Sequence, residues 1–157
     1  MPLLITSHKT PVGTLNLLAD DQILIGANLS TVSAFNAGID VKIVKSIPVI
    51  SDLISDYFDG DLSALNGIQV RQPGAAFSQA AWKAMRKIAP GKTWSYSDLA
   101  GKAGSPAAVR AAGSACANNA IMLVVPCHRV VKTGGALGNY AYGVDKKQWL
   151  LSHEGFL

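Results

Sequence analysis

Cysteine is nearly absent from this chain. Only Cys116 and Cys127 occur among 157 residues. Two cysteines do not make a disulfide framework, so a small secreted scaffold held by bridges is excluded. Histidine is equally sparse, and His8, His128 and His153 show no ligand spacing such as His-x3-His. A four-ligand zinc site cannot be assembled from that pattern, so no metal and no cofactor is expected. Long apolar runs are missing as well. The longest strongly apolar stretch, Ala120 to Pro126, falls far short of the roughly 20 residues that a spanning helix needs. Residues Met1 to Thr10 lack a basic start followed by an apolar stretch of signal length. These absences point to an intracellular, cytoplasmic protein with no membrane partner.

What is present suffices for a folded core. Apolar residues make up 49% of the chain, and its length suits one ordinary domain or two small ones. Charge is unevenly placed. Residues 1–82 carry four basic and seven acidic side chains, a balance of −3, whereas residues 83–157 carry ten and three, a balance of +7. The second half has the electrostatic footprint of a polyanion binder, and a merely solvated basic surface fits the same count.

Local patterning predicts an α/β (α+β) protein. A small antiparallel sheet with one helix occupies residues 1–73, and a mainly helical part with a helix-turn-helix occupies residues 74–157. Leu3–Ser7, Thr14–Leu18 and Ile23–Ala27 read as strands, the last two joined by Ala19-Asp20-Asp21-Gln22. Pro48 to Phe58 reads as a helix with Leu53, Ile54, Tyr57 and Phe58 on one face and Gly60 as its exit. Gln72-Pro73-Gly74 breaks the chain. Helices are then expected over Ser78–Ile88, Ser95–Ala103 with Ser95 or Ser97 as cap, Pro106–Ala117 with Pro106 at its first position, and Lys146–His153 capped by Asp145. The third of these is unusual. Ala107, Ala108, Ala111, Ala112, Gly113, Ser114 and Ala115 give it almost no side chain able to read base edges, and Arg110 is the exception. A smooth helix suits close approach to a minor groove, and it equally suits tight packing on a neighbour.

Cys127 follows a five-residue apolar run and Pro126, which cannot donate to a sheet ladder, so a strand should stop or turn there. The thiol then lies at the edge of the core beside His128, Arg129 and Lys132. The thiolate is the nucleophile, and neighbouring cations or a histidine base would raise its fraction. Adjacent strand side chains point to opposite faces, so cooperation between Cys127 and His128 requires the backbone to leave strand geometry. Cys116, in the small-residue helix, reads as a packing residue.

The segment Val125-Pro126-Cys127-His128-Arg129-Val130 resembles the signature of the O6-alkylguanine-DNA alkyltransferases, also called methylated-DNA–protein-cysteine methyltransferases. The resemblance extends from about Phe77 to Gly155. It takes in Phe77-Ser78-Gln79-Ala80-Ala81-Trp82, Gly91-Lys92-Thr93-Trp94-Ser95-Tyr96, Val109-Arg110-Ala111-Ala112-Gly113, Asn119, Gly138-Asn139-Tyr140 and Trp149-Leu150-Leu151-Ser152-His153-Glu154-Gly155. Thr10-Pro11-Val12-Gly13-Thr14 matches more loosely.

The resemblance implies a DNA repair protein that moves an alkyl group, once and irreversibly, from O6 of guanine to Cys127. O4 of thymine is a second candidate position. It implies a flipped base, and a proton passed through water to His128, which Glu154 orients and holds positive. Asn119 would bridge the recognition helix and the active-site turn. Arg110 would fill the gap in the duplex, and Tyr96 would help rotate the nucleotide. The carbonyls of Cys127 and Val130 would accept from the guanine amine, the Ala141 backbone would donate towards O6, and Tyr140 would wall the pocket. Ala108 and Ala111 would face the minor groove. The implied partner is duplex DNA bearing O6-alkylguanine, met by a monomer associated with the nucleoid. No structural zinc and no preceding cysteine-rich regulatory domain are expected. The alternative is a lesion sensor without chemistry, although such relatives lack the acceptor cysteine. Tyr142 stands where many relatives have glycine, and its ring would disfavour large adducts such as benzyl.

Overall fold

The computed structural model describes residues 2–157, which form two compact units. The first comprises residues 2–72 together with Ala120–Val124, and the second Pro73–Asn119 with Val125–Leu157. The division suggested by sequence, 1–73 and 74–157, is continuous, whereas these units exchange one short segment.

The first unit is built on a meander of β1 (Leu3–Thr10), β2 (Gly13–Asp20) and β3 (Ile23–Asn28), paired antiparallel. The β1–β2 turn holds itself together. The Thr10 hydroxyl accepts from the Val12 N–H and donates to the Gly13 carbonyl, and Gly13 takes φ 116°, a value that favours glycine. β2 is buried on both faces from Leu15 to Ala19, as expected for a central strand. Two short edge strands, β4 (Val41–Ile43) and β5 (Gln69–Val70), join β1 and β3 in parallel, giving the order β4-β1-β2-β3-β5. Neither is legible in the sequence, because two or three residues carry no periodicity. α1 (Ile50–Phe58) starts two residues later than Pro48 predicts, since Val49 turns the chain at φ 68°. Its buried stripe is Ile50, Ile54 and Tyr57, with Leu53 and Phe58 half-buried. Ala120–Val124 is not a strand. Ala27 pairs with it by one bridge, donating to the Ala120 carbonyl and accepting from Met122, and the chain then kinks at Leu123, φ 74°. The buried Gln72 side chain accepts from the Ala120 N–H at 2.8 Å.

The second unit carries α2 (Ala76–Met85), α3 (Tyr96–Lys102), α4 (Val109–Ala117) and α5 (Val144–His153). A two-stranded parallel ladder is formed by β6 (Trp94–Ser95) and β7 (Val130–Val131). α3 opens with a capping box. Ser95 accepts from the Asp98 N–H, and Asp98 accepts from the Ser95 N–H, both at 3.0 Å. The connection to α4 turns at Gly104, φ 98°. α4 begins three residues after Pro106, because the Ala108 N–H first closes a turn onto the Ser105 carbonyl. Its buried face is Ala112 and Ala115, while Arg110, Ala111 and Ser114 are exposed. The Trp82 indole N–H donates to the Ala115 carbonyl at 2.8 Å and ties α2 to the end of α4. At α5, Gly143 occupies the cap position and Asp145 lies in the first turn, making no capping hydrogen bond. Among the described residues no helix is long and apolar enough to cross a membrane.

Candidate active site

Pro126 ends the extended backbone and a single 3₁₀ turn follows, Cys127–Arg129. The turn is fixed at both ends. The Asn119 amide, two residues beyond α4, donates to the Val125 carbonyl at 2.8 Å and to the Cys127 Sγ at 3.5 Å. On the exit side, Val130 and Val131 enter the ladder with Trp94 and Ser95. The turn takes Cys127 and His128 out of strand geometry, the condition the sequence sets for their cooperation. Cys127 is 8% exposed and lines a cavity of about 520 Å³, whereas His128 turns inward and is fully buried.

Behind the thiol lies a closed charge network. His128 Nε2 and Glu154 Oε2 are 2.8 Å apart. Arg129 grips the same carboxylate, Nε to Oε1 at 2.8 Å and Nη2 to Oε2 at 3.0 Å, and its Nη1 donates to the Ile88 carbonyl at 2.7 Å. Burial alone would push the Glu154 carboxyl up, but hydrogen bonds from His128 and Arg129, together with the Arg129 charge, prevail and hold it well below the usual carboxylate range. Burial lowers the His128 imidazole and outweighs the opposing pull of Glu154. The ring is therefore neutral at rest, and Glu154 is placed to stabilise a positive ring once a proton arrives. With Nε2 donating to Glu154, the basic lone pair falls on Nδ1, which is buried and bonds to no described protein atom.

The sequence suggests that Arg129 and Lys132 assist the thiolate. The structure gives that place to a residue the sequence reading missed. Burial raises Cys127 above the ordinary thiol value, and what eases it is the Asn119 hydrogen bond and then the Lys147 charge. Arg129 is instead committed to Glu154. Lys147 is fully buried in α5, and its Nζ donates to the Val130 carbonyl at 2.7 Å and to the Asn139 carbonyl at 3.3 Å. The signal was present: Lys147, Leu150, Leu151 and Glu154 fall on one helical stripe, and a lysine on an apolar stripe marks a buried charge.

The cavity gathers Tyr96, Arg110, Cys127, Tyr140 and Ala141 from the sequence-based set. Ala108, Ala111, Val130, His128 and Glu154 do not line it, nor does Asn119, whose amide nonetheless reaches the thiol. Ala108 precedes α4 and is half-buried, and Ala111 lies on the exposed face of α4. The carbonyls of Cys127 and Val130 each already accept one bond, from the Val130 N–H and from Lys147, and each keeps a second lone pair. Cys116, read as a packing residue, lines the same cavity, and burial together with the nearby Cys127 pushes its thiol up to about 12. Tyr142 stacks edge-on to Tyr140, ring centroids 5.7 Å apart. Burial raises its hydroxyl, and the charge of Cys127 adds to the shift.

Residues 76–156 match the family model described as the DNA-binding domain of 6-O-methylguanine DNA methyltransferase. A methylated-DNA–protein-cysteine methyltransferase from Salmonella typhimurium is 35% identical over 94% of this chain and 93% of its own length. The protein of that name from Homo sapiens is 47% identical over 49% of this chain and 37% of its own. Among solved structures, Mycobacterium tuberculosis OGT in complex with DNA superposes with a TM-score of 0.86 at 29% identity, covering 97% of this chain and 92% of that one.

Proposed function

This chain belongs to the 6-O-methylguanine DNA methyltransferase family, and we propose that Cys127 is its alkyl acceptor in the direct repair of O6-alkylguanine in duplex DNA. The observation that carries this reading is the buried thiol in a cavity, backed by a neutral imidazole whose Nε2 is committed to Glu154 and whose Nδ1 remains basic.

In the proposed reaction the Cys127 thiol loses its proton through a bridging water to His128 Nδ1, and Glu154 stabilises the imidazolium that forms. The thiolate attacks the alkyl carbon. The S–C bond forms, the C–O6 bond breaks, and its electron pair returns to the guanine, which takes up a proton. Burial disfavours the thiolate at rest, so proton removal is coupled to the arrival of an electrophile. The Ala141 backbone donates towards O6, and the Cys127 and Val130 carbonyls receive the exocyclic amine. Tyr140 walls the pocket, and Asn119 joins the end of α4 to the reactive turn. The base reaches the cavity by flipping, at a cost of about a few kcal/mol, least for a lesion that already pairs badly. Arg110 fills the vacated stack and Tyr96 guides the nucleotide. The exposed small residues of α4, Ala111 foremost, with Ala108 at its start, allow a close approach to the minor groove. O4-alkylthymine is a second substrate on the same chemistry. The thioether has no neighbour able to remove it, so each molecule acts once. We place the protein as a monomer on chromosomal DNA in the cytoplasm.

The test is intact mass after mixing with a duplex carrying one O6-methylguanine. A gain of one methyl that maps to Cys127, with guanine restored and no second turnover, is the expected result. An unchanged mass with tight lesion binding would instead identify a sensor. An unchanged mass without binding would remove the reading altogether.

A further inference from the structure

We propose that Lys132 tunes the acceptor cavity towards O6 adducts ending in a carboxylate. The inference rests on Cys127 as acceptor and adds a substrate class to that reading. Two cations, Lys132 and Arg110, line the cavity that holds the thiol, and no lining residue is acidic. Arg110 is an exposed residue of α4, on the face proposed for the duplex. Lys132 stands elsewhere. Its N–H donates to the Ala136 carbonyl at 2.9 Å and its carbonyl accepts from Gly135 at 3.0 Å, so a tight glycine turn fixes its backbone. Its stem passes Gly138, the residue before Asn139 on the cavity wall. A Cβ added to Gly138 would lie 3.4 Å from the Lys132 Cγ and 3.3 Å from the Tyr96 hydroxyl. Among the described residues no carboxylate pairs with Lys132.

An exposed ammonium on an anchored backbone, on the wall of an otherwise mostly apolar cavity, matches an anionic group a few bonds from the reacting carbon. A methyl adduct offers Lys132 nothing. A carboxymethyl adduct brings a carboxylate into a partly desolvated space where one cation is unopposed. Lys132 is exposed, so the gain is that of a solvated ion pair, about 2- to 5-fold in rate. The other use of such a lysine is a phosphate contact, which would act on every substrate alike.

The experiment measures single-turnover transfer from duplexes carrying O6-carboxymethylguanine and O6-carbamoylmethylguanine, adducts of matched size that differ in charge, with O6-methylguanine alongside. The wild-type protein is expected to prefer the carboxylate over its amide by about 2- to 5-fold. Lys132→Gln should level that ratio and Lys132→Arg should restore it. The preference should shrink as salt rises. If Lys132→Gln slows all three duplexes equally, or leaves the carboxylate-to-amide ratio unchanged, the proposal is overturned while Cys127 remains the acceptor. If no duplex alkylates Cys127, both readings fall together.

Discussion

Lys147 is a single side chain on which several parts of the site depend. Its ammonium satisfies two carbonyls, one of them on Val130, and supplies the charge nearest in effect to the thiol. Lys147→Met keeps the stem and removes the charged donor. Hydrogen bonds to charged groups contribute about 1.5–3 kcal/mol, so urea denaturation should show a loss of that size. Transfer from O6-methylguanine should slow in the same variant. The pH dependence of the reaction has a fixed sign. Cys127 gives up its proton to a neutral His128, so the rate should be level above about pH 6.5, the ordinary imidazole value, and fall once acid protonates the ring. A quenched-flow series that instead climbed steadily to about pH 9 would show that free thiolate attacks without help from His128. At the pocket wall, Tyr142→Gly should quicken reaction with O6-benzylguanine and barely change O6-methylguanine. Equal rates for both proteins with the benzyl adduct would end the steric idea. Cys127, His128 and Glu154 were visible in the sequence because they sit in a contiguous signature and its C-terminal match. Lys147 and the commitment of Arg129 to Glu154 were not, because burial and pairing depend on which helix covers the turn.

At the scale of elements, α4 is informative for what it lacks. A helix with a Val-Arg-Ala-Ala-Gly-Ser-Ala-Cys-Ala sequence has small side chains both towards the core and towards solvent. Inward, Ala112 and Ala115 permit close packing against α2. Outward, Ala111 leaves the surface smooth. Ala111→Glu should therefore weaken duplex binding at least about tenfold, by bulk and like-charge repulsion with phosphates, while the melting temperature stays within about a degree. Fluorescence anisotropy and thermal melts separate the two effects, and a parallel fall in stability would show that this face is packed. The helices were legible in the sequence as stripes with breakers between them, and their starts were less so. Pro106, Pro48 and Asp145 all carry start signals, yet each helix begins where backbone turns at Ala108, Val49 and Gly143 allow. Those turns depend on tertiary context more than on residue type. The capping box at Ser95 is the exception, since its two partners are three residues apart in sequence.

For the whole molecule, the split in charge sets the response to salt. If the basic second half binds duplex as proposed, log K should fall linearly against log salt, in proportion to the number of phosphates neutralised. Stability should respond to acid in two stages. His128 is held neutral below its ordinary value, so its contribution is complete above about pH 6.5 and declines below it. Glu154 is depressed, so its contribution is complete above about pH 4.5 and is lost as the pH falls through its lower folded value. Denaturant titrations from pH 8 to 3 should show both declines, and a profile flat to pH 4 would contradict the buried network. The two halves were apparent from composition alone, but the exchange of Ala120–Val124 was not, because it is expressed in one bridge to Ala27. With that exchange, a single cut of the chain does not divide it into the two units. A cut at residue 73 would leave Ala27 without its backbone partners in one fragment. The other fragment would carry the buried apolar sequence Ala-Ile-Met-Leu-Val on a free loop, immediately before the reactive turn. The proposed acceptor therefore sits just past a stitch, and a fragment cut at residue 73 should hold its turn less firmly than the whole chain does.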